Sequence, residues 1–332
     1  MLTAAVFAAG GLPKLFTVAH GSFTSGRRDA RILRPSAGVS AGRTEQPKGV
    51  TTSILSRRLV GAGTALAATA LLVPNAATAQ PIDASATRAK PVITMSGSTS
   101  VAPLAVKLIK GYLKRHPNSV KFKLAQGGSD VGIADVAAGR VTIGNSSRDA
   151  KPSDPGGLVF NKIARDAICL ATNPDNNLGD LSQQSVQAIF SGQVRDWKDV
   201  PGSSRSGPID LIVRTAASGT QDAFQKLFMG TATVASSAAQ KASNGLVASS
   251  VKSDPNAIGY LSYAFTAGLN DVSYQGVQCN LRTAKAGTYP GSRNFWMVTR
   301  GNPTGTLAKF IKWVQNSRKA AKIVASEWVP LQ

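Results

Sequence analysis

Three short turns rich in serine, threonine and glycine are the segments of this 332-residue sequence best suited to chemistry. They lie at residues 98–100, 128–129 and 218–220, and each follows an apolar run that predicts a β-strand. A helix N-terminus has unsatisfied N–H donors at the positive end of its dipole, so such turns can bind an anion. Each turn alone also suits an ordinary helix N-cap. The three together predict a site that holds a small oxyanion by hydrogen bonds.

Two arginines lie close to turns of this kind. Arg214 precedes Ser218 by four residues, and Arg148 directly follows Ser147 in the segment GNSSR. A guanidinium group can donate two parallel hydrogen bonds to an oxyanion. In open α/β sheets, ligands lie beyond the carboxyl ends of the strands, where these turns are expected. Both arginines are therefore candidate ligands of the anion.

The scarcity of histidine and cysteine argues against most enzymes. The chain has two of each, whereas a zinc site needs three or four protein ligands and a serine triad needs a well-placed histidine. Residues 127–131 also lack the second glycine of a nucleophile elbow. An exported phosphatase or esterase is the less favoured alternative. We expect a binding protein with no catalytic residues, no metal and no cofactor.

The strong positive charge is also consistent with a different function, the binding of anionic polymers. The chain carries a net charge of +21, and residues 80–332 keep 29 basic and 15 acidic residues, a net of +14. Such a surface attracts nucleic acid, anionic polymers or small oxyanions. Few aromatic residues lie between the basic ones to stack on bases, which argues against a specific nucleic-acid partner. A basic surface protein that binds anionic polymers remains an alternative.

An export signal is predicted near residue 50. Arg57 and Arg58 precede an apolar stretch that ends in the small-x-small site Ala77-Thr78-Ala79. We interpret residues 50–79 as a signal peptide and 1–49 as a non-native or disordered extension. No cysteine lies directly after the apolar stretch, at the predicted cleavage site, so a soluble, extracytoplasmic protein without a lipid anchor is expected. Outside the cytoplasm, Cys169 and Cys279 either form a disulfide or remain as buried thiols.

Alternation of apolar runs with amphipathic helices predicts an α/β fold with a parallel-rich sheet. The long apolar run at residues 163–172 is expected to cross between two lobes. Residues 231–250, rich in alanine and serine, are expected to be helical. No internal repeat is evident.

Several ordered segments resemble one known family, the phosphate-binding proteins of bacterial phosphate ABC importers. They are SGSTSVAPL (96–104), QGGSDVGI (126–133), TIGNSSR (142–148), AIFSGQVRDWKDV (188–200), VRTAASGTQDAF (213–224), AIGYLSYAF (257–265) and YPGSRNFWMVTRG (289–301). The resemblance implies a type II periplasmic-binding-protein-like fold with a ligand cleft between two lobes. We expect one lobe to combine residues 90–163 with 264–332 and the other to span 164–263.

The resemblance also implies the ligand contacts and the partners. Phosphate would be held by the following residues: Thr99, Ser100, Ser129, Arg214, Ser218, Gly219 and Thr220. Ser147 and Arg148, one of which aligns with an acidic residue of the family, are further candidate ligands. Many family members carry an aspartate after the third segment that reads the proton of hydrogen phosphate, whereas here Asp149 comes one or two places late. The expected protein is a monomer that delivers inorganic phosphate to a membrane permease. Sulfate, arsenate or molybdate are the alternative oxyanions.

Overall fold

The computed structural model describes residues 89–331. The predicted N-terminal extension and signal peptide lie outside the described residues. Within the part that is described, no helix has the length and apolar character needed to cross a membrane.

The described chain alternates strands and helices, as the apolar pattern predicts. The strands are β1 (Val92–Gly97), β2 (Lys121–Leu124), β3 (Ile143–Ser146), β4 (Leu158–Thr172), β5 (Asp180–Leu181), β6 (Asp210–Arg214), β7 (Ala239–Lys241), β8 (Ala257–Ser262), β9 (Asn270–Tyr274) and β10 (Ser292–Arg300). The helices are α1 (Ala102–Arg115), α2 (Ser129–Ala137), α3 (Gln183–Phe190), α4 (Gly219–Phe224), α5 (Asn244–Ser253), α6 (Leu281–Ala286), α7 (Gly305–Asn316) and α8 (Arg318–Val324).

Helix α1 illustrates how the sequence specifies these elements. Its buried residues include Leu104, Leu108 and Tyr112, which recur at intervals of four and form one apolar face. A proline occupies the first turn, where its missing N–H has no intrahelical acceptor to lose. Lys114 and Arg115 lie in the last turn, at the negative end of the helix dipole.

The strands form one ten-stranded mixed sheet in the order β2-β1-β3-β10-β4-β8-β6-β7, with β9 paired to β4 and β5. The strands that lead into the three polar turns, β1 and β6 among them, pair in parallel with their neighbours. The long strand β4 connects the two halves of the sheet, since it pairs with β10 along its first part and with β8 and β9 along its last. The expectation that residues 163–172 run between two groups of elements agrees with this pairing.

Two large hydrophobic cores lie on either side of the middle of β4. One draws its residues from positions 93–164 and 295–328 and includes Phe122, Phe310 and Trp328. The other draws mainly from positions 167–289 and includes Trp197 and Tyr260. Residues 272–289 pack in this second core, which therefore extends past residue 263, where we predicted its lobe to end. The exact lobe boundaries remain a prediction.

A disulfide joins Cys169 on β4 to Cys279 after β9, with 5.6 Å between the two Cα atoms. Both residues are buried in the second core. Of the two alternatives left open by the sequence, the structure contains the disulfide.

The helix expected over residues 231–250 is wrong for its first half. Residues 239–241 form β7, which pairs in parallel with β6, and α5 begins only at Asn244. The side chain of Ser243 accepts a hydrogen bond from the N–H of Leu246 and so caps α5. The composition of this segment did not reveal the strand, because its short pairing depends on the neighbouring edge of the sheet.

Candidate anion-binding site

The first turn lies at the end of β1, between that strand and α1. Thr99 and Ser100 are buried there although both are polar. The hydroxyl of Ser98 accepts hydrogen bonds from the N–H groups of Ser100 and Val101, at 3.2 and 3.3 Å, and thereby shapes the turn. This arrangement leaves the hydroxyls of Thr99 and Ser100 to meet groups from distant parts of the chain.

The third turn follows β6 and brings Thr220 against the first turn. The side chain of Ser218 caps α4 by accepting hydrogen bonds from the N–H groups of Thr220 and Gln221. The Oγ atoms of Ser100 and Thr220 then lie 3.0 Å apart, although 120 residues separate them in sequence. The role predicted for Ser218 as a direct ligand stays a prediction, and its observed role is to position this turn.

The second turn meets the segment after β3. The Oγ atoms of Ser129 and Ser147 are 3.3 Å apart, and the N–H of Ser147 donates to the Oγ of Ser129 at 3.0 Å. Ser98 also donates to the Oγ of Ser147, at 2.9 Å. Gly219 approaches so closely that an added Cβ would overlap the hydroxyl of Ser129 and come within 2.8 Å of the Oγ of Ser147. The three predicted turns therefore converge on one small region.

Arg214 is the charged residue at the centre of this region. It is only 2% exposed, and its guanidinium donates to the Oγ1 of Thr99 at 3.1 Å and, more weakly, to that of Thr220 at 3.4 Å. Its other partners are the backbone carbonyls of Lys241 and Ala242. Among the described residues, no carboxylate forms an ion pair with it.

The pKa of Arg214 reflects that isolation. Burial, and to a lesser extent the positive charge of Arg293, lower this pKa to about 10. At neutral pH the side chain is still protonated, so a cation without an acidic partner is buried in the protein. Burying a charge costs free energy unless an opposite charge pairs with it. An anion at this position would remove that cost.

A second arginine, Arg293 on β10, lies in the same cluster, although it was not among the residues predicted from the sequence. Its guanidinium donates to the Oγ of Ser100 and the Oγ1 of Thr220, both at 2.9 Å. Unlike Arg214 it has an acidic partner, because Asp166 on β4 accepts from it at 2.8 Å. Burial raises the pKa of Asp166 and lowers that of Arg293, and the attraction between them opposes both shifts.

Asn244 is another residue that sequence reasoning missed. Its Nδ2 atom donates to the hydroxyls of Ser100 and Thr99, at 2.8 and 3.2 Å. Its Oδ1 atom accepts from the N–H of Ser262, whose hydroxyl in turn donates to Asp166. The position of Asn244 at the start of α5 was the available signal, but the wrong helix boundary concealed it.

Arg148 is oriented differently from the prediction. Its guanidinium donates to Asp130 at 2.6 Å and binds Asp154 through two hydrogen bonds, at 2.6 and 2.9 Å. Burial lowers the pKa of Arg148, but the hydrogen bonds to Asp154 and Asp130 outweigh this effect and raise it above its usual value. Its side chain is thus committed to two carboxylates, and a ligand role for it remains only a prediction.

Asp149, the displaced acid, lies on the surface. Its Oδ1 atom accepts from the side chains of Asn294 and Trp296, each at 3.0 Å. Within the described part of the chain, no carboxylate hydrogen-bonds to the hydroxyls of the three turns. The same part contains no group of three histidine, cysteine or acidic residues able to hold a metal ion.

Comparisons with known proteins identify the family of this chain. The model of a family described as the PBP superfamily domain matches residues 83–318. The phosphate-binding protein PstS of Bacillus subtilis (strain 168) is 27% identical over 245 residues, which cover 72% of this chain and 80% of that protein.

Two solved structures resemble the fold. One is the crystal structure of a protein from Clostridium perfringens, described as a phosphate ABC transporter substrate-binding protein with bound phosphate. It is 29% identical to this chain with a TM-score of 0.68, and the match covers 73% of this chain and all of the other. An ABC-type phosphate transport receptor from Vibrio cholerae is 26% identical with a TM-score of 0.59, covering 71% of this chain and 99% of the other. The family match spans well over half of the sequence, and the chain therefore belongs to the PBP superfamily.

Proposed function

We propose that this protein is a solute-binding protein that captures inorganic phosphate for an ABC importer and performs no catalysis. The observation that carries the proposal is the buried charge of Arg214, which has no acidic partner among the described residues and is surrounded by hydroxyl and amide donors. The names of the relatives from Bacillus subtilis, Clostridium perfringens and Vibrio cholerae support phosphate as the ligand.

The chemistry of the site suits a tetrahedral anion with four oxygen atoms. Arg214 and Arg293 are both charged and present planar sets of donors, while one carboxylate, Asp166, balances only one of them. The cluster therefore keeps about one net positive charge. The hydroxyls of Thr99 and Ser100 can turn to donate, because a hydroxyl hydrogen rotates to suit its acceptor. Charge-assisted hydrogen bonds of this kind are roughly twice as strong as neutral ones.

Discrimination between phosphate and sulfate should be incomplete. A phosphate that keeps a proton needs an acceptor for it, and sulfate has no proton to offer near neutral pH. Asp149 lies on the surface and Asp166 is bonded to Arg293 and Ser262, so hydroxyls such as those of Ser129 and Ser147 must accept instead. A hydroxyl can also donate to sulfate, and for that reason it rejects sulfate less strongly than a carboxylate would.

Isothermal titration calorimetry of the purified protein tests the proposal. We expect one phosphate to bind per chain, with sulfate, arsenate and molybdate titrated in parallel under the same conditions. Sulfate should bind more weakly than phosphate but measurably. The absence of a measurable heat of binding on titration with phosphate, together with a melting temperature that phosphate does not change, would contradict the proposal. Tighter binding of another of these oxyanions would assign the site to that anion.

The remaining parts of the proposal concern place and partners. The signal peptide predicted at residues 50–79 would send the protein out of the cytoplasm as a soluble monomer, where a membrane permease would receive the loaded form. Closure of two lobes around the ligand is the expected signal to that permease. N-terminal sequencing of the exported protein tests the predicted cleavage before Gln80, and light scattering tests the monomer.

A further inference from the structure

A basic groove lies on the outside of the first core, where α1, α7 and α8 pack together. It has a volume of about 930 Å³ and shares no residue with the anion site. Six of its ten lining residues are positively charged: Lys107, Lys110, Arg115, Arg318, Lys319 and Lys322.

The three helices that form the groove are strongly basic along their whole length. Together α1, α7 and α8 contain nine lysines and arginines and no acidic residue. Within the described chain, the ion pairs include one in this groove, between Lys107 and Glu327. The cations follow one another at intervals of three or four residues, as with Arg318 and Lys322, which places them about 5–6 Å apart along a helix. The groove is thus a dense track of positive charge.

The floor of the groove is formed by a close approach of the helices. An added Cβ at Gly111 would lie only 2.5 Å from the side chain of Ile323 and 3.2 Å from the ring of Trp313. Trp313 in turn packs edge-on against Tyr112, with 5.4 Å between the ring centroids. Glycine at position 111 therefore lets α8 settle against α1 and fixes the spacing of the two rows of cations.

We propose that this groove binds linear inorganic polyphosphate. Apart from the carboxylate of Glu327, which pairs with Lys107, the charged and hydroxyl side chains at the groove are hydrogen-bond donors, and the hydroxyls of Ser317 and Ser326 also accept. Such a lining fits a ligand that offers acceptors along its whole length. Polyphosphate is a flexible chain of this type with a negative charge on every unit, and it can follow a concave track of cations.

Other polyanions fit the groove less well. Single-stranded nucleic acid is held by bases stacked on aromatic side chains, whereas the one aromatic residue in the groove, Trp313, is half-buried against Tyr112. A membrane surface is usually met by exposed apolar side chains beside the basic ones. The exposed large apolar residues of the described chain, such as Leu246, lie outside this groove.

A charge-matched pair of full-length variants tests the proposal. The groove variant combines Lys110→Glu, Lys322→Glu and Arg318→Glu. The control variant combines Lys198→Glu, Lys252→Glu and Arg282→Glu, three exposed residues of the same types outside the groove. Both variants have the same net charge, so only the position of the change differs. Fluorescence anisotropy of end-labelled, long-chain polyphosphate reports binding, and an excess of orthophosphate in every sample removes any contribution from the anion site.

We expect the groove variant to lose affinity for polyphosphate by about tenfold or more, while the control variant loses much less. The slope of the logarithm of the association constant against the logarithm of salt concentration should fall by about 3 in the groove variant. Equal losses in the two variants, or no binding by the unaltered protein, would overturn the proposal. Tighter binding of a thymidine oligonucleotide of equal charge, or of phosphatidylglycerol vesicles, would assign the groove to that partner instead. Thermal melting of each variant identifies any loss of folding, and because orthophosphate binding is measured separately, the two proposals can fail independently.

Discussion

Arg214 and Arg148 are two buried arginines in similar positions, each close to a strand end, yet their surroundings are opposite. Arg148 is 4% exposed and binds two carboxylates, those of Asp130 and Asp154. Arg214 is 2% exposed and binds only hydroxyls and backbone carbonyls. The pKa of Arg148 is raised and that of Arg214 is lowered to about 10. The charge of Arg148 is balanced within the protein, whereas that of Arg214 is left for an anion to balance.

The largest expected effect is on phosphate binding after Arg214→Met. Loss of the charge-assisted hydrogen bonds from this guanidinium should weaken binding by about 100-fold or more. The ligand-free variant should melt at the same or a higher temperature, since an unpaired buried charge has been removed. Calorimetry measures the first quantity and thermal unfolding the second.

Arg195→Met, at an exposed arginine, is the matched control for Arg214→Met and should leave both quantities unchanged. Retention of phosphate affinity in Arg214→Met would contradict the central role given to this residue.

The reverse pattern is expected for Arg148→Met. Here the substitution leaves the carboxylate of Asp154, whose side chain is 10% exposed, without its cationic partner. The free energy of unfolding should fall by about 1–3 kcal/mol, while phosphate affinity should change by less than about threefold. Chemical denaturation and calorimetry on the same sample separate the two effects. A large loss of affinity in a stably folded variant would instead restore Arg148 as a ligand.

A smaller loss of affinity is expected from Gly219→Ala. The new methyl group would overlap the hydroxyl of Ser129 and crowd that of Ser147, so the turn after β6 must move away from the segments after β2 and β3. We expect affinity for phosphate to fall by about tenfold. Gly276→Ala, at a glycine with nothing within 4 Å of its added Cβ, controls for volume but also has a positive φ, so its melting temperature must be compared as well. Unaltered binding in Gly219→Ala would show that the close approach is not needed.

The smallest effect concerns Asp271, a half-buried acid that lacks a cationic partner in the described chain. Burial raises its pKa to about 6, although a hydrogen bond from Thr266 opposes the shift. Because the folded pKa exceeds the unfolded one, the folded state binds more protons between about pH 4 and pH 6, and stability from this group is lost as pH rises through that range. Asp271→Asn should therefore raise the melting temperature at pH 8 and change it little at pH 4.

For Asp271→Asn, thermal unfolding across this pH range is the measurement, and phosphate affinity should stay as it was. A melting temperature that rises by the same amount at pH 4 and pH 8 would mean that the proton on Asp271 is not the cause.

The sequence allowed much of the site to be predicted because the information was local. A strand followed by serine, threonine and glycine before a helix is a pattern of neighbouring residues, and Arg214 lies only four positions from Ser218. Arg293 and Asp166 were missed because each is a charged residue inside an apolar strand, and their pairing joins positions 127 residues apart. The acidic Asp166 inside the apolar run at residues 163–172 was the available signal.

The direction of the Arg148 side chain could not be read from neighbouring residues either. Its position beside Ser147 suggested a ligand, but its orientation depends on Asp154, which is brought close only by the turn at residues 151–154. Similarly, β7 depends on the edge of the sheet that it joins. Side-chain direction and short edge strands are set by tertiary contacts, and composition alone does not encode them.

The disulfide between Cys169 and Cys279 has a consequence for resistance to proteolysis. It closes a covalent loop that contains Arg214, Thr220 and Asn244, and hence much of the anion site. A single cut anywhere in residues 170–278 would leave both fragments tethered, whereas a cut near residue 155 would open the chain outside the loop. A protein nicked once inside the loop should therefore migrate as a single molecule until it is reduced, because the disulfide holds its two fragments together.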